Sequence, residues 1–435
     1  MTRELTIDGA TTILASSSAL PLVHVTVALR SGAAADARDQ EGRFRFMLKA
    51  MRRGADGYSA EDIDNRLDLL GAELEVEVYA SHTLLSAQVL SRNLDGLMDL
   101  LTRILARPTF PENELELLRR EMIAELIDTR DDDRNLAQIA FRQGLFGEHV
   151  YGRRIVGWIK SLNAIELKDI RAVHREHFVR ENVVLGFAGD IDEARAEAAA
   201  KSLLSALPSA KPPTLDIAQP VQKPGRHLYF VDKPERTQHQ LCVGRLGSWS
   251  HDEDHFDLTV GVVAFGGTFT APLMREVRVK RGWSYGASAR IALAKMRHGF
   301  TMWTAPEAKV GPDCAALNIA LLEKLVENGY KDKDIAFVRN FMARSFAFEV
   351  DTPQKRMNHA MEVHLLGLPS NYYGKYLESV RSVTAEGAAR AVRNRLDPAD
   401  LVIAATGTKD EHLAALEKAI PNLASTTVVP FDADG

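Results

Sequence analysis

The chain has 435 residues, of which 46% are hydrophobic and 26% charged, the proportions of an ordinary globular protein. Its 54 lysines and arginines against 59 aspartates and glutamates give a net charge of −5, which argues against a nucleic-acid partner and against an anionic membrane surface. Its two cysteines, Cys242 and Cys314, exclude a disulfide scaffold and a four-cysteine zinc site, whereas composition leaves open whether the protein is an enzyme.

The first half of the chain contains strands and helices in separate groups. Alternating valines predict a strand over residues 22–29, alternation from 72 to 89 predicts a β-hairpin, and an apolar run predicts a strand over 183–190. Helical periodicity predicts helices at about 42–54, 60–70, 93–106, 111–128, 134–145 and 167–176. This grouping is typical of an α+β protein in which a helical layer covers a largely antiparallel sheet.

Five prolines between Pro208 and Pro224 interrupt the chain near its midpoint. Proline is excluded from helix interiors and central strands, so this stretch predicts an extended linker. We therefore divide the chain into an N-terminal domain at residues 1–208, a Pro-rich linker at 209–225 and a C-terminal domain at 226–435.

The two halves repeat one pattern of apolar residues at a constant spacing of 220 residues. The leucines of each set lie on one face of a helix, and a turn and a second helix follow. The repeating pairs are Leu97 and Leu317, Leu101 and Leu321, Leu105 and Leu325, Phe110 and Tyr330, and Met122 and Met342. An offset of half the chain length indicates two homologous domains.

Several motifs along the chain carry a family resemblance. They include the segment 149–152, the segment 225–244 and, most specifically, the segment 278–286, which reads Arg-Val-Lys-Arg-Gly-Trp-Ser-Tyr-Gly. On these residues nearly the whole chain resembles the insulinase/pitrilysin family of zinc peptidases. The resemblance implies two homologous α/β-sandwich domains of the mitochondrial-processing-peptidase-like metallohydrolase type, each a mostly antiparallel sheet with helices on one face.

The zinc motif of that family is altered in this chain. The motif is His-x-x-Glu-His on a helix, in which two histidines one turn apart bind zinc and the glutamate acts as general base. Arg45, Leu48 and Lys49 stand where His, Glu and His belong. Two cations and a leucine cannot hold Zn²⁺, so the resemblance implies a lost metal site.

A leftover carboxylate is expected on a later helix. The resemblance places the third zinc ligand at Glu121, with Glu114 seven residues earlier, although a solvated glutamate among neighbouring arginines would look the same. The segment 75–81, which corresponds to the substrate-pairing strand of the family, is altered as well. The first half is therefore expected to keep the fold without the site.

The second half retains a pair of residues that the resemblance marks as functional. Arg278 and Tyr285 lie seven residues apart, as the family's Arg and Tyr do, and are assigned to substrate binding in the active site. A phenol O–H can donate to the oxyanion of peptide hydrolysis, and a guanidinium offers several fixed donors to substrate carbonyls. The residues alone leave another interpretation open, because Arg275, Lys280 and Arg281 could form an ordinary basic helix end.

Together these features predict the non-zinc subunit of a heterodimeric zinc endopeptidase. No cofactor is expected in this chain, whereas zinc is expected in a His-x-x-Glu-His-bearing partner that forms a clam-shell peptide chamber with it. Alone, the chain is expected to be inactive, and a homodimer of isolated chains remains open. The alternatives are a structural or peptide-binding pseudo-peptidase, and a self-sufficient hydrolase with a metal site at His251 and His255.

The remaining sequence features are expected to be structural. The acidic residues between His251 and His255 fit the start of a helix. His174 and His177 are expected on a solvated helix face, and both cysteines are expected to be buried thiols. The opening residues show no signal-type segment and no run of about 18 apolar residues occurs, which predicts no membrane span. We therefore expect a cytoplasmic location, or a periplasmic one if a signal peptide was removed.

Overall fold

Two six-stranded sheets form the framework of the protein, which a computed structural model describes over residues 2–433. The main strands within those residues are β1 (Thr2–Ile7), β2 (Ala10–Ser16), β3 (Leu22–Leu29), β4 (Gly54–Ala55), β5 (Tyr58–Ser59), β6 (Glu73–Val78), β7 (Thr83–Leu90), β8 (Val183–Gly189), β9 (Arg226–Asp232), β10 (Leu241–Leu246), β11 (Ser284–Ile291), β12 (Gly299–Pro306), β13 (Leu401–Gly407) and β14 (Leu423–Pro430). The first sheet has the order β1-β2-β8-β3-β7-β6 and the second the order β11-β12-β10-β13-β9-β14.

Helices connect and cover these strands. They are α1 (Arg43–Met51), α2 (Ala60–Leu70), α3 (Leu94–Ala106), α4 (Glu112–Asp128), α5 (Asp133–Phe146), α6 (Ile159–Ala164), α7 (Leu167–His177), α8 (Glu193–Ala206), α9 (His255–Val262), α10 (Pro272–Met274), α11 (Gly311–Asn328), α12 (Asp332–Glu349), α13 (Pro353–Leu366), α14 (Tyr372–Ser382), α15 (Ala385–Arg395) and α16 (Lys409–Ala419). π-helical turns follow α9 at Val263–Gly267 and α10 at Arg275–Val279.

The sheets confirm the predicted duplication. Reversed, the order of the second sheet matches the first, and each sheet contains the same central parallel pair, β2 with β8 and β9 with β13. The sheets differ at one edge, where β1 is antiparallel to β2 but β14 is parallel to β9. Arg119 of α4 donates to the backbone carbonyls of Leu162 and Ile165. Arg339, which lies 220 residues later on α12, donates in the same way to the carbonyls of residues 381 and 383. Equivalent residues therefore fix equivalent helix–helix contacts in both halves.

One helix of each half packs on the sheet of the other half. Helix α5 packs on β9, β10 and β13 of the second sheet, and α13 packs on β2 and β8 of the first. Gly144 lets α5 approach closely, because a Cβ atom there would lie 2.5 Å from the ring of Tyr229 and 2.6 Å from Val402. Gly186 of β8 does the same for the two methionines of α13, Met357 and Met361. The sequence predicted helices on one face of each sheet and did not indicate this exchange.

The predicted elements of the first half are confirmed. The strands at 22–29 and 183–189, the hairpin of β6 and β7, and the six predicted helices appear with ends that shift by no more than three residues. Residues 208–223 form neither helix nor strand. One helical stretch, His255–Val279, is long and apolar enough to cross a membrane by length and composition alone, but half of its most apolar window is buried. Its buried side chains pack in the core of the second half.

Candidate functional site

Helix α1 carries the altered zinc-motif positions. Asp36 caps its start, because its carboxylate accepts hydrogen bonds from the backbone N–H groups of Gly42 and Phe44 at 3.1 and 2.9 Å. Burial raises the pKa of Asp36 to about 7, although the charge of Arg43 and these two hydrogen bonds oppose the shift. The inner face of α1 is apolar, and Leu48 on that face is 1% exposed within the core of the first half. A side chain so buried has no access to substrate or water.

The outer face of α1 carries two cations one helical turn apart. Arg45 donates to Oε2 of Glu125 at 2.7 Å, and Lys49 donates to Oε1 of the same residue at 2.5 Å. Burial raises the pKa of Glu125, but the hydrogen bonds from Lys49 and Arg45 outweigh it, and the pKa of Glu125 ends below its usual value. A carboxylate on α4 thus bridges the two positions at which histidines would bind a metal.

The prediction of Glu121 as the leftover carboxylate is corrected by this geometry. Glu121 forms an ion pair with Arg53, just after α1, and Glu114 lies 3.9 Å from the same guanidinium. The carboxylate that faces residues 45 and 49 belongs to Glu125, one helical turn further along α4. Glu121 and Glu125 are four residues apart on α4 and therefore share one helix face, and this spacing is the feature of the sequence that could have indicated Glu125.

These residues do not fit a zinc ion. A lysine, an arginine and a leucine offer no donor of the kind that Zn²⁺ binds, and the one suitable carboxylate is already held by two cations. Within residues 2–433, no group of three or more His, Cys, Asp or Glu side chains is arranged to hold a metal ion. The outer face of α1 is therefore not a zinc site in this chain.

Arg278 and Tyr285 are brought together on the second half. The guanidinium carbon of Arg278 lies 4.9 Å from the centre of the Tyr285 ring and 5.0 Å from the centre of the Phe269 ring. Tyr285 is 89% exposed and Phe269 is 73% exposed. The arginine is therefore held between two aromatic rings on an open surface, a contact worth about 0.5–1 kcal/mol at an exposed site. The sequence did not single out Phe269.

The neighbouring basic residues behave differently from Arg278. Lys280 and Arg281 form ion pairs with Glu276 at 2.7 and 3.0 Å, and Arg275 lies 3.9 Å from the same carboxylate. Among residues 2–433, Arg278 has no carboxylate within ion-pair distance. A simple basic helix end would not set one arginine apart in this way, so its donors remain available for a ligand.

A β-bulge at the start of the edge strand β11 presents Tyr285. The register of β11 against β12 shifts between Ser284 and Ala287, so that one extra residue is accommodated there. Ser284 fastens the bulge, because its hydroxyl accepts from the N–H of Ala305 at 2.9 Å and donates to the carbonyl of Gly286 at 2.5 Å. The tyrosine side chain consequently projects away from the core.

The two sets of predicted site residues lie on different halves of the chain. Arg45 and Lys49 lie on the outer face of α1, where Glu125 of α4 joins them, whereas Arg278 and Tyr285 lie at the edge of the second sheet. No hydrogen bond or ion pair between described residues joins the two sets. Within the part of the chain that the structure describes, the pair on the second sheet thus has no metal site joined to it.

The other histidine predictions have mixed outcomes. His255 is 3% exposed and hydrogen-bonds through both ring nitrogens, to Ser248 and to the hydroxyl of Tyr372, each at 2.9 Å. A metal at His251 and His255 would have to displace one of these two partners from the ring nitrogen that it binds. The prediction of a solvated face at His177 is wrong, because His177 is 3% exposed and bonds to Ser31 at 2.9 Å.

His174 is also mispredicted. It is half-buried, lies beneath the ring of Phe178 and bonds to the carbonyl of Leu105 at 2.8 Å. Both cysteines are buried and unpaired, as expected. Burial raises the pKa of Cys242 to about 12 and of Cys314 to about 11, which keeps both as unreactive thiols.

The fold and the site together define a class of protein. Two homologous α+β domains exchange a helix, and a bridged cation pair stands on the helix where a metallopeptidase would carry its ligands. A family model described as "Insulinase (Peptidase family M16)" matches residues 11–154, and one described as "Peptidase M16 inactive domain" matches residues 164–342. The chain belongs to the insulinase family, peptidase family M16.

Known relatives extend over nearly the whole chain. A protein of Helicobacter pylori described as a "Non-peptidase homolog" is 20% identical over 390 residues, which are 90% of each chain. An "uncharacterized zinc protease" of Mycobacterium tuberculosis is 24% identical over 413 residues, 91% of this chain and 90% of that one. The crystal structure of a "peptidase M16 inactive domain" from Pseudomonas fluorescens has a TM-score of 0.86 at 23% identity and covers 93% of this chain and 98% of its own. That last likeness establishes the fold.

Proposed function

We propose that this chain is the non-zinc subunit of a two-subunit zinc endopeptidase, in which it supplies Arg278 and Tyr285 to a shared peptide chamber. The observation that carries the proposal is that Arg278 and Tyr285 are held in contact with each other on an open surface. An arginine without a carboxylate partner is held between two exposed aromatic rings, and the adjoining tyrosine is 89% exposed. Purely structural residues would be buried or paired, whereas these two are oriented and open.

The chemistry available to the pair is hydrogen-bond donation. The phenol O–H of Tyr285 can donate to the oxygen of a scissile carbonyl as negative charge develops on it, and one such donor contributes about 100- to 1,000-fold in rate. The guanidinium of Arg278 can donate to peptide carbonyls in a fixed orientation, because the rings of Phe269 and Tyr285 restrict it. Both residues would bind and orient a peptide, whereas activation of water is left to the metal site of the partner subunit.

The first half of the chain supports the need for such a partner. Arg45, Leu48 and Lys49 leave α1 without metal ligands and without a general base. The relative from Helicobacter pylori is described as a non-peptidase, which agrees with a chain that is inactive alone. The partner would carry His-x-x-Glu-His and enclose the peptide between the two subunits. The isolated chain could also pair with itself, but neither copy would then supply a metal site.

The test is reconstitution with a partner chain that bears His-x-x-Glu-His. Peptide turnover is measured for the pair that contains the wild-type chain, Tyr285→Phe or Arg278→Gln. We expect Tyr285→Phe to lower kcat by about 100-fold or more, and Arg278→Gln to raise KM as well. Tyr58→Phe and Arg281→Gln serve as controls, since they make the same chemical changes outside the pair and should leave turnover unchanged.

Two outcomes would overturn the proposal. If Tyr285→Phe leaves kcat of the reconstituted pair unchanged, this chain does not supply the oxyanion donor. If the purified chain alone contains stoichiometric zinc and cleaves peptides, it is a complete hydrolase and needs no partner. The zinc content of the isolated chain, measured by atomic absorption, decides the second point.

A second candidate is a peptide-binding or structural pseudo-peptidase without hydrolytic role. The non-peptidase description of a relative that covers 90% of this chain favours it. The two candidates differ in one measurement. A pseudo-peptidase would bind peptides through Arg278 and Tyr285 with no turnover in any pair, whereas the proposed subunit would raise turnover of its partner.

A further inference from the structure

A cavity of about 320 Å³ lies between α5 and the outer face of the second sheet. Three arginines line it, Arg134 and Arg142 from α5 and Arg290 from the edge strand β11. The rest of the lining is neutral, with Trp303 as its largest ring, and none of the aspartates or glutamates that the structure describes contributes to it. The chain as a whole carries more acidic than basic residues, so three arginines without an acid in one cavity is a local exception.

Among residues 2–433, the three guanidinium groups have no anionic partner. None of them forms an ion pair or a side-chain hydrogen bond with another residue of the described range 2–433. The guanidinium of Arg134 lies 4.0 Å from the centre of the Trp303 ring, which fixes it over the cavity. Arg134 and Arg290 are exposed, so solvent and ligands can reach the cavity, whereas Arg142 is half-buried.

The three arginines make the lining of the cavity positively charged, and their charges add to the effect of burial on a neighbouring histidine. Burial, followed by the charges of Arg142 and Arg290, lowers the pKa of His298 to about 4, so the imidazole stays neutral at pH 7. Burial also lowers the pKa of Arg142, although a guanidinium remains charged. A half-buried cation without a counter-charge is costly, and an anion placed among three arginines would offset that cost with charge-assisted hydrogen bonds.

The position of the cavity relates it to the Arg278 and Tyr285 pair. The edge strand β11 begins at the bulge that presents Tyr285 and continues through Ser288 and Arg290, which both line the cavity. A peptide that reached Tyr285 and followed the edge of the sheet would therefore pass the three arginines. Arg142 also lines two adjoining cavities, so the space continues beyond this one.

We propose that this arginine cavity, formed by Arg134, Arg142 and Arg290, binds a carboxylate of the peptide that the Arg278 and Tyr285 pair engages. The carboxylate can belong to an aspartate or glutamate side chain or to the C-terminus of the peptide. The proposal rests on the proposed peptide-binding function and adds a preference for acidic peptides. The guanidinium groups suit a planar carboxylate, which can accept two parallel hydrogen bonds from one arginine and single hydrogen bonds from others.

The test measures binding of four fluorescein-labelled peptides to the full-length chain by anisotropy. One carries two internal glutamates and an amidated C-terminus, the second has glutamines in their place, the third has no acidic side chain but a free C-terminus, and the fourth carries lysines. We expect the glutamate peptide or the free-C-terminus peptide to bind about ten- to a hundredfold more tightly than the glutamine peptide. The first and third peptides identify the source of the carboxylate.

Substitutions assign the preference to the cavity. Arg290→Gln and Arg142→Gln should each lower the affinity for the preferred peptide about tenfold or more and leave that for the glutamine peptide unchanged. Arg92→Gln removes the same charge from an exposed position on the first half and serves as the control. Arg290 is exposed on an edge strand, so its substitution gives a folded reference even if Arg142→Gln lowers stability.

The outcomes separate this proposal from the function on which it rests. Equal affinity for the glutamate, free-C-terminus and glutamine peptides overturns the cavity proposal, and so does a preference that survives in both arginine variants. The cavity proposal is also overturned if inorganic phosphate binds in an Arg290-dependent manner and no acidic peptide is preferred. The site would then bind small anions and not peptides. If acidic peptides bind as expected but Tyr285→Phe has no effect on turnover of the pair, the cavity stands and the subunit role fails.

Discussion

The geometry of α1 and α4 predicts that a zinc site can be restored by two substitutions. Replacing Arg45 and Lys49 by histidine places two imidazoles one helical turn apart, opposite the carboxylate of Glu125. That carboxylate already reaches both positions, at 2.7 and 2.5 Å from the present nitrogen atoms. An imidazole is shorter than the side chains it replaces, and a zinc ion with bonds of about 2.0–2.2 Å on each side fills the difference. We expect the R45H/K49H variant to bind one zinc ion, whereas the wild-type chain binds none.

The effect of the two substitutions on stability should depend on zinc. The two ion pairs that are lost are partly exposed, with 21% and 31% of the cationic side chains and 44% of the Glu125 side chain accessible. At such exposure each pair contributes no more than about 1 kcal/mol, so the metal-free variant should be less stable than the wild type by up to about 2 kcal/mol. Zinc at 100 times its dissociation constant would add about 2.7 kcal/mol. The variant should therefore be less stable than wild type without zinc and at least as stable with it.

The assay combines zinc content after dialysis with thermal unfolding in the presence of zinc or a chelator. Adding Glu125→Gln to the variant should abolish zinc binding, whereas Glu121→Gln should leave it intact, because Glu121 is paired with Arg53. Zinc binding that depends on Glu121 instead would refute the placement of the two glutamates. No peptidase activity is expected, since Leu48 remains in place of a general base.

Three further predictions concern pH, packing and the bulge. Burial lowers the pKa of His255 in the folded protein to about 4, below its unfolded value of 6.5, so the free energy of unfolding should fall by up to about 3 kcal/mol as the pH drops from 6.5 to 4. His255→Gln should reduce this fall in stability, measured by urea titrations at pH 7 and 4.5. An equal fall in the variant and the wild type would contradict the assignment. Gly144→Ala should destabilise the protein by about 1–3 kcal/mol, because the new Cβ atom would overlap side chains of the second sheet. Gly374→Ala is the control, because it lies in an open helical position and should stabilise the protein by up to about 1 kcal/mol in the same urea titration. Ser284→Ala should lower the free energy of unfolding by about 1–2 kcal/mol, because two hydrogen bonds that fasten the bulge are lost. It should also lower kcat of the reconstituted pair about tenfold, because Tyr285 is no longer held in place. Unchanged turnover would show that the bulge does not position the tyrosine.

Local sequence patterns predicted most of the fold of the first half. Hydrophobic periods of 2 and 3.6 residues report which faces are buried, and those faces decide where strands and helices form. The constant spacing of 220 residues predicted two homologous domains for the same reason, since each half buries the same positions. The exchange of α5 and α13 could not be predicted, because periodicity shows that a helix face is buried and not which sheet covers it.

The sequence by itself determined that α1 carries no metal ligands and that Arg278 and Tyr285 are both present, because these statements depend only on residue identity. The tertiary structure decided what these residues contact. It placed Glu125 rather than Glu121 opposite α1, held Arg278 between Phe269 and Tyr285, and gathered three arginines from α5 and β11 around one cavity. These contacts join elements that are distant in the chain, and their partners are chosen by packing and charge in three dimensions.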